Sequence, residues 1–561
     1  MLFFIFSLQM AFATTVAWTM PRFLLLRRSP PAAAAAARVG VRTSGAGAGA
    51  GAGASEHLRP IVCLRCQGSG AVSSGRKGAH RNSSSEEQSR VSPQHFFRRA
   101  ARSACKSCLG SGLVERATTS SQDGDKDDPL VAICGAGIGG CALALALQQR
   151  NIRCVVFEKD PCEDARSQGY GLTLQQGSKA ARRLGILDEC VDRASVRYCD
   201  RWTGPIHRSF DASGNLLGSF GGGGDGGGRN HRMNLIIARR TLRQILLGRL
   251  KPGTVKWGRT LRQVEIDRNA AANEGKSLGL FFDNENGVAR SRINASVLVG
   301  ADGIRSTVRK LCFQPGTGFS TRLQSMDTMV LLGITDRSPS PEHPLSGGDI
   351  FETVDGQTRF YAMPYSSGVA AQDMWQLSFP LAENEAISLS RAGPPELLKE
   401  ALRRCSFWHD PIPDMIRTTP NSLTTGYPIY DLDDPLTPEL SREESVALLG
   451  DAAHPMAPFK GQGANQALLD ALSLAEALYD SQLGDSAFAR RWQQEDVERR
   501  YGPRSKCMVP TALRAYGMEM AARSSVKMRR SREASALLHS PEALVPRNET
   551  RAEAARGGWL L

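Results

Sequence analysis

VAICGAGIGGCALALALQQRNIRCVVFEKD, residues 131–160, decides how the main part of this chain folds. Residues 130–134 form a short apolar run of strand character, Gly135–Gly140 make a turn, and an Ala/Leu-rich helix is expected over about 138–149. Residues 152–157, IRCVVF, are the next strand. Gly135, Gly137 and Gly140 stand in the GxGxxG spacing, inside the strand–turn–helix–strand unit that gives the spacing meaning. The first glycine permits the tight turn, the second leaves room for a pyrophosphate, and the third lets helix and strand pack closely. The helix N-terminus then offers unpaired N–H groups and a favourable dipole to phosphate. Glu158 ends the second strand, where a carboxylate accepts ribose hydroxyls. The unit binds a dinucleotide. By itself it does not separate FAD from NAD, although an acid at 158 repels a 2′-phosphate.

Two further glycine-bearing segments follow far downstream, GADGIRSTVR at 300–309 and GDAAHPMAPFKGQGAN at 450–465. Asp451 is a carboxylate suited to sugar-alcohol hydroxyls, and the KGQGAN turn presents N–H groups at a helix start, where they stabilise negative charge. The alternative for Asp451 is an ordinary helix N-cap. His454 is a candidate general base or a structural residue. Between the segments, 240–250 reads as helix, and 277–283 and 292–299 as strands. Residues 346–380 alternate polar and apolar as strands of a second sheet, with 445–449 a strand and 462–480 a helix. SFGGGGDGGGR at 219–229 cannot pack a core and is expected to be a mobile insertion.

Composition bounds the rest. The chain has 561 residues, 56 of them glycine, and a formal net charge of +14. Much of the basic excess falls in termini and linkers, and no nucleic-acid-reading motif accompanies it, so nucleic acid is not an expected partner. Residues 1–58 read as a disordered targeting presequence: an apolar start, then Arg22, Arg27, Arg28, Arg38 and Arg42 with no acid before Glu56. This pattern resembles a bipartite plastid address, with a mitochondrial or endomembrane address as the alternative. Residues 59–115 hold CLRCQGSG at 63–70 and CKSCLGSG at 105–112. Two such knuckles supply Cys63, Cys66, Cys105 and Cys108 as four thiolates for one tetrahedral Zn²⁺. The duplicated motif resembles half of the cysteine-rich zinc region of DnaJ-type chaperones. It reads as a structural staple, with protein docking or redox dithiols as alternatives. A polar linker covers 116–129, the main domain 130–500 with a substrate sheet at about 310–430, C-terminal helices 501–541, and a tail 542–561. The basic stretch 497–540 is expected to be a solvated helix pair, or a peripheral membrane contact.

The three glycine segments together resemble the single-component flavoprotein monooxygenases, the aromatic hydroxylase class that includes salicylate- and para-hydroxybenzoate-hydroxylase-like proteins; the resemblance covers about 130–540. It implies an α/β fold: a Rossmann-like FAD-binding domain, an inserted mainly β substrate domain and C-terminal helices, here beside the small zinc module. It implies one bound FAD, with Arg166 and Arg239 reaching toward it, Asp302 and Gly303 as the DG motif, and Asp451 holding ribityl hydroxyls. Pro458, Gly461, Gln462, Gly463, Ala464 and Asn465 correspond to the loop and helix start beside the isoalloxazine ring. NADPH or NADH acts as a transient co-substrate, O₂ forms a C4a-hydroperoxyflavin, and an aromatic or isoprenoid-like molecule is hydroxylated or epoxidised. Tyr361, Met363, Trp375 and Phe379 are candidate pocket liners, and no catalytic base is identified. A related reductase, dehydrogenase or lycopene-cyclase-like enzyme is the first alternative. A noncatalytic zinc-bearing adaptor is the second.

Overall fold

The computed structural model describes four short strands between residues 58 and 117 and the chain from 130 to 546, apart from 166–168, 197–204, 222–234, 268–276, 284–289, 314–320, 339–342, 346–347, 369 and 481–507. The presequence up to residue 57, the linker after Ala117, the tail from residue 547 and most of the glycine-rich run lie outside the described residues.

A five-stranded parallel sheet forms the centre, in the order Val255–Lys256, Cys154–Phe157, Val131–Cys134, Val297–Gly300, Val446–Leu448. Its three inner strands are short and wholly or largely apolar, as strands covered on both faces must be. The helix Ile138–Gln148 buries Ile138 through Leu147 without a gap, which accounts for its Ala/Leu composition: a helix covered all round has no use for a polar face. It packs against the helix Gly463–Asp480. A three-stranded antiparallel sheet (Thr260–Asp267, Ser277–Asp283, Arg290–Ala295) lies beside this core, and Gly171–Leu174 pairs with Leu235–Ala238.

The strand expected over 292–299 is in fact two. Arg290–Ala295 belongs to the antiparallel sheet and Val297–Gly300 to the parallel one. The chain changes sheets at Ser296, whose N–H donates to Leu130 O at 2.9 Å.

The second sheet has seven strands, in the order Thr424–Asp431, Gln324–Asp336, Gln372–Pro380, Arg359–Pro364, Ile350–Val354, Ile206–Asp211, Leu216–Gly221. It therefore draws in a hairpin well upstream of residue 310, and Ser219–Gly221 at the start of the glycine-rich run are the end of a strand. Strand alternation gives the sheet two apolar faces. The outer face, with Met329, Leu331, Phe351, Phe360, Trp375, Leu377 and Phe379, packs on the helices Glu383–Ala392, Pro394–Cys405 and Ile412–Arg417. The inner face, with Val330, Leu332, Ile334, Ile350, Met363 and Met374, packs with Ala457, Phe459, Ala534 and Leu538.

In the described part of the stretch expected to be a solvated pair stands one long helix, Met508–Leu538. Ala512, Leu513, Tyr516, Met520, Met528 and Leu538 are buried, so the helix is part of the core. Met and Tyr at these positions supply enough apolar surface to bury despite the dense arginines between them. The Tyr516 hydroxyl donates to Leu448 O at 2.8 Å, and Arg532 pairs with Asp431 at 2.9 Å.

Candidate functional site

Four adjacent parallel strands end at one edge of the central sheet and release the expected binding segments there. Phe157 leads to Glu158, Cys134 to Gly135, Gly300 to Asp302, and Leu448 to Asp451. A crevice at the carboxyl edge of such strands is the usual ligand position in an open α/β sheet.

The three glycines of the first segment are used differently. Gly135 has φ +107° and abuts the backbone of Ala301, so a side chain there is excluded twice over. A Cβ on Gly140 would collide with the Gly135 carbonyl, which is the close helix–strand approach expected of it. A Cβ on Gly137 meets nothing within 4 Å, so the mouth of the helix is open. No side chain caps that helix, leaving its first-turn N–H groups for a ligand. Glu158 Oε2 accepts from Ala136 N–H at 2.7 Å and Oε1 from Asp160 N–H at 3.0 Å, so this carboxylate also fixes the loop. Arg243, which the motif spacing did not single out, donates to Ala136 O at 2.7 Å and Glu163 O at 2.8 Å and lies 5.5 Å from the Trp257 ring centre.

In the second segment Asp302 accepts from Ser306 Oγ at 2.5 Å and from the N–H groups of Thr307 and Val308 at 2.6 and 3.2 Å. Its carboxylate caps the short helix Thr307–Cys312. Gly303 has φ +78° and open space beside it. Arg309 is buried and donates to Ala452 O at 3.0 Å and to Ile304 O, joining the second segment to the third. Burial lowers its guanidinium from the ordinary value, against the opposing pull of Asp302 and Asp451.

The third segment carries Asp451 at the strand end. Asp451 is accessible by area yet walled in by protein. Burial raises its carboxyl above the ordinary range, with His454, Arg239 and Arg309 opposing and Asp470 adding to the rise. Its Oδ1 lies 3.5 Å from where a Cβ of Gly463 would be, at the start of the helix Gly463–Asp480. Two tyrosines that no motif marks face the same place. Tyr170 lies 5.7 Å beneath the Arg239 guanidinium, and both Tyr170 and Tyr427 are raised, first by burial, with Asp451 contributing. Pro458–Lys460 make one 3₁₀ turn, and Gly461 follows at φ +58° with open space beside it. Gly463 and Ala464 are half-exposed. Gln462 and Asn465 are buried and occupied. Gln462 donates to Gln175 Oε1 at 2.9 Å, and Asn465 Oδ1 accepts from Gln175 and Gly177 N–H at 2.9 and 2.7 Å. The Asn465 amide donates to Thr173 O at 3.0 Å and Gly461 O at 2.8 Å. These two side chains shape the turn from within. Arg166 lies outside the described residues.

The inner face of the seven-stranded sheet lies over this cleft: Met363 and Met374 pack against Gly171, and Phe459 belongs to the third segment. Tyr361 and Met363 point to this face. Trp375 and Phe379, expected as liners, point to the outer face, where Trp375 Nε1 donates to Thr419 Oγ1 at 2.8 Å. The reason is strand parity, which the irregular connections leave undetermined until the strands are paired. Among the inner-face residues Arg359 and Glu352 form a buried ion pair at 2.9 Å, with Gln376 at 3.2 Å and the Tyr361 ring 4.6 Å beneath the guanidinium.

Cys63, Cys66, Cys105 and Cys108 lie outside the described residues, and among those described no group of three or more metal-ligating side chains occurs. The strands flanking the knuckles are described. Leu58–Val62 pairs antiparallel with Leu113–Ala117, past the boundary expected at 115, and Ala71–Ser73 with Arg102–Ala104.

The FAD binding domain family profile matches residues 128–500. The aurachin C monooxygenase/isomerase of Stigmatella aurantiaca is 28% identical over 378 residues, 66% of this chain and 85% of that protein. A chloroplastic zeaxanthin epoxidase from an Oncidium hybrid cultivar is 31% identical over 359 residues, 62% of this chain but 48% of that longer protein. A variant of Klebsiella pneumoniae HpxO complexed with FAD superposes with a TM-score of 0.57 at 20% identity, over 76% of this chain and 97% of that one, a likeness of fold.

Proposed function

The chain belongs to the FAD binding domain family, as a FAD-dependent monooxygenase of the salicylate hydroxylase type, and on that premise we propose that it uses NAD(P)H and O₂ to hydroxylate or epoxidise an aromatic or isoprenoid-like small molecule. The observation that carries this reading is the convergence of Gly137, Asp302 and Asp451 on one edge of the parallel sheet. The open mouth at Gly137 and the uncapped N–H groups behind it suit the pyrophosphate of FAD. Asp451, Arg239 and the half-exposed start of the helix at Gly463 suit its ribityl and ring portions. When bound, FAD supplies redox exchange with NAD(P)H and the activation of O₂. The residues of this chain orient the cofactor and exclude water, and the apolar inner face with Met363 and Tyr361 receives substrate. The relatives named for aurachin C and zeaxanthin favour a lipophilic, ring-bearing molecule.

The test is aerobic NADPH and NADH consumption by the flavin-loaded protein across phenols, quinones and carotenoids, with product and peroxide both measured. Consumption that rises with one class and yields oxygenated product supports the reading. Reduction without oxygenated product favours a reductase or dehydrogenase, and a correctly folded chain with no affinity for flavin leaves the adaptor.

The paired knuckles support a second proposal, one Zn²⁺ held by Cys63, Cys66, Cys105 and Cys108. The residues that flank the two knuckles are paired in two antiparallel ladders, Val62 opposite Leu113 and Ala71 opposite Ala104, which supports this reading. Docking of a protein partner on this module, and contact of the chain with a membrane surface, are open to the same purified protein in pull-down and vesicle-binding measurements. A plastid address in residues 1–58 accords with one chloroplastic relative, and a fluorescent fusion of that segment tests it.

A further inference from the structure

Behind the third binding segment lies a buried network that cofactor contact does not explain. Asp470, on the helix Gly463–Asp480, is fully buried, and both of its oxygens are engaged. Oδ2 accepts from Gly450 N–H at 2.8 Å and lies 2.7 Å from His454 Nε2, while Oδ1 accepts from Arg523 at 2.9 Å. Burial alone would raise this carboxyl, but His454, Arg523 and the Gly450 N–H outweigh it and hold it below its ordinary value. An ionised carboxylate only accepts, so His454 carries a proton on Nε2. Arg523 comes from the long helix and is itself fixed, donating to Gln466 at 2.8 Å and to both oxygens of Glu519 at 2.9 and 3.0 Å.

The object of this network is a turn. Gly450 sits at φ +59°, and its carbonyl accepts from the N–H groups of Ala453 and His454, both at 2.9 Å. Asp470 therefore grips the turn by its first N–H and by the imidazole at its end. Asp451, the residue between them with its carboxylate toward the cleft, has its own carbonyl in reach of Arg309 at 3.4 Å.

We propose that Arg523 and Asp470 are positioning residues for the cofactor cleft: acting through Gly450 and His454, they hold the turn that aims Asp451, so that the long helix sets how tightly the flavin half of FAD is bound. This rests on the FAD reading of the site. FAD and ADP are titrated separately against the flavin-free full-length chain, with thermal unfolding recorded for each variant. ADP probes the glycine turn alone. Arg523→Ala and Asp470→Asn are expected to weaken FAD about tenfold or more, the scale of one charged hydrogen bond, with ADP affinity unchanged. Arg523→Lys, which keeps the charge and loses the forked geometry, is expected to fall between and reads the same split if the alanine variant does not fold. Equal losses for FAD and ADP, or unchanged FAD affinity in both variants, overturn the proposal. A wild-type chain that binds ADP but no FAD overturns it together with the site reading, and is recognised before any variant is made.

Discussion

At the scale of single residues, Gly137 and Gly140 make opposite predictions from the same motif. A Cβ at 137 has no packed neighbour within 4 Å, so Gly137→Val should leave unfolding of the flavin-free protein nearly unchanged, within about 0.5 kcal/mol, while FAD affinity falls by roughly a hundredfold. Gly140→Ala drives a methyl into the Gly135 carbonyl and should cost about 1–3 kcal/mol of folding stability, read by thermal melts without cofactor. Asp451→Ala should weaken FAD about tenfold or more, checked by flavin fluorescence quenching. Motif spacing identified these positions, because spacing reports where a backbone must turn. It did not report what each side chain does. Asp302 caps a helix, and Asn465 ties two turns together with four bonds, three of them to partners 288 to 292 residues away. Tyr170, Tyr427 and Arg243 carry no spacing signal at all and emerge only from the fold.

At the scale of elements, apolar runs located the parallel strands because burial on both faces leaves little choice of residue. The long helix departs from expectation for the converse reason. Its dense arginines suggest solvent, yet two are paired inward: Arg523 to Asp470 and Arg532 to Asp431. Removing residues 508–561 should therefore abolish flavin retention and lower solubility, since Leu448, Asp470 and Asp431 all lose partners; size-exclusion profiles and bound-flavin absorbance decide this. A milder probe is Tyr516→Phe, which removes one buried hydrogen bond and should lower stability by about 1 kcal/mol with flavin still bound, checked by denaturant titration. Strand parity in the seven-stranded sheet was likewise unreadable, because alternation shows that two faces exist without saying which one a ligand meets.

At the scale of the whole molecule, the described strands of the cysteine module pair only with one another, and the described residues of the flavin cleft all lie downstream of residue 130. Chelation of the full-length protein should strip about one zinc per chain and leave flavin absorbance intact, measured by elemental analysis beside the visible spectrum. Serine at Cys63 and Cys105 should reproduce the zinc loss. The central sheet has one more consequence. Its neighbouring strands at 131, 297 and 446 come together only when two very long chain segments close, so the cleft exists only in the chain whose long-range pairing is complete. Vitamin supply thereby becomes a proofreading signal: in a riboflavin-starved cell the finished protein lacks the ligand that would trap it, and its abundance should decline through turnover of unfilled chains while its message level stays constant.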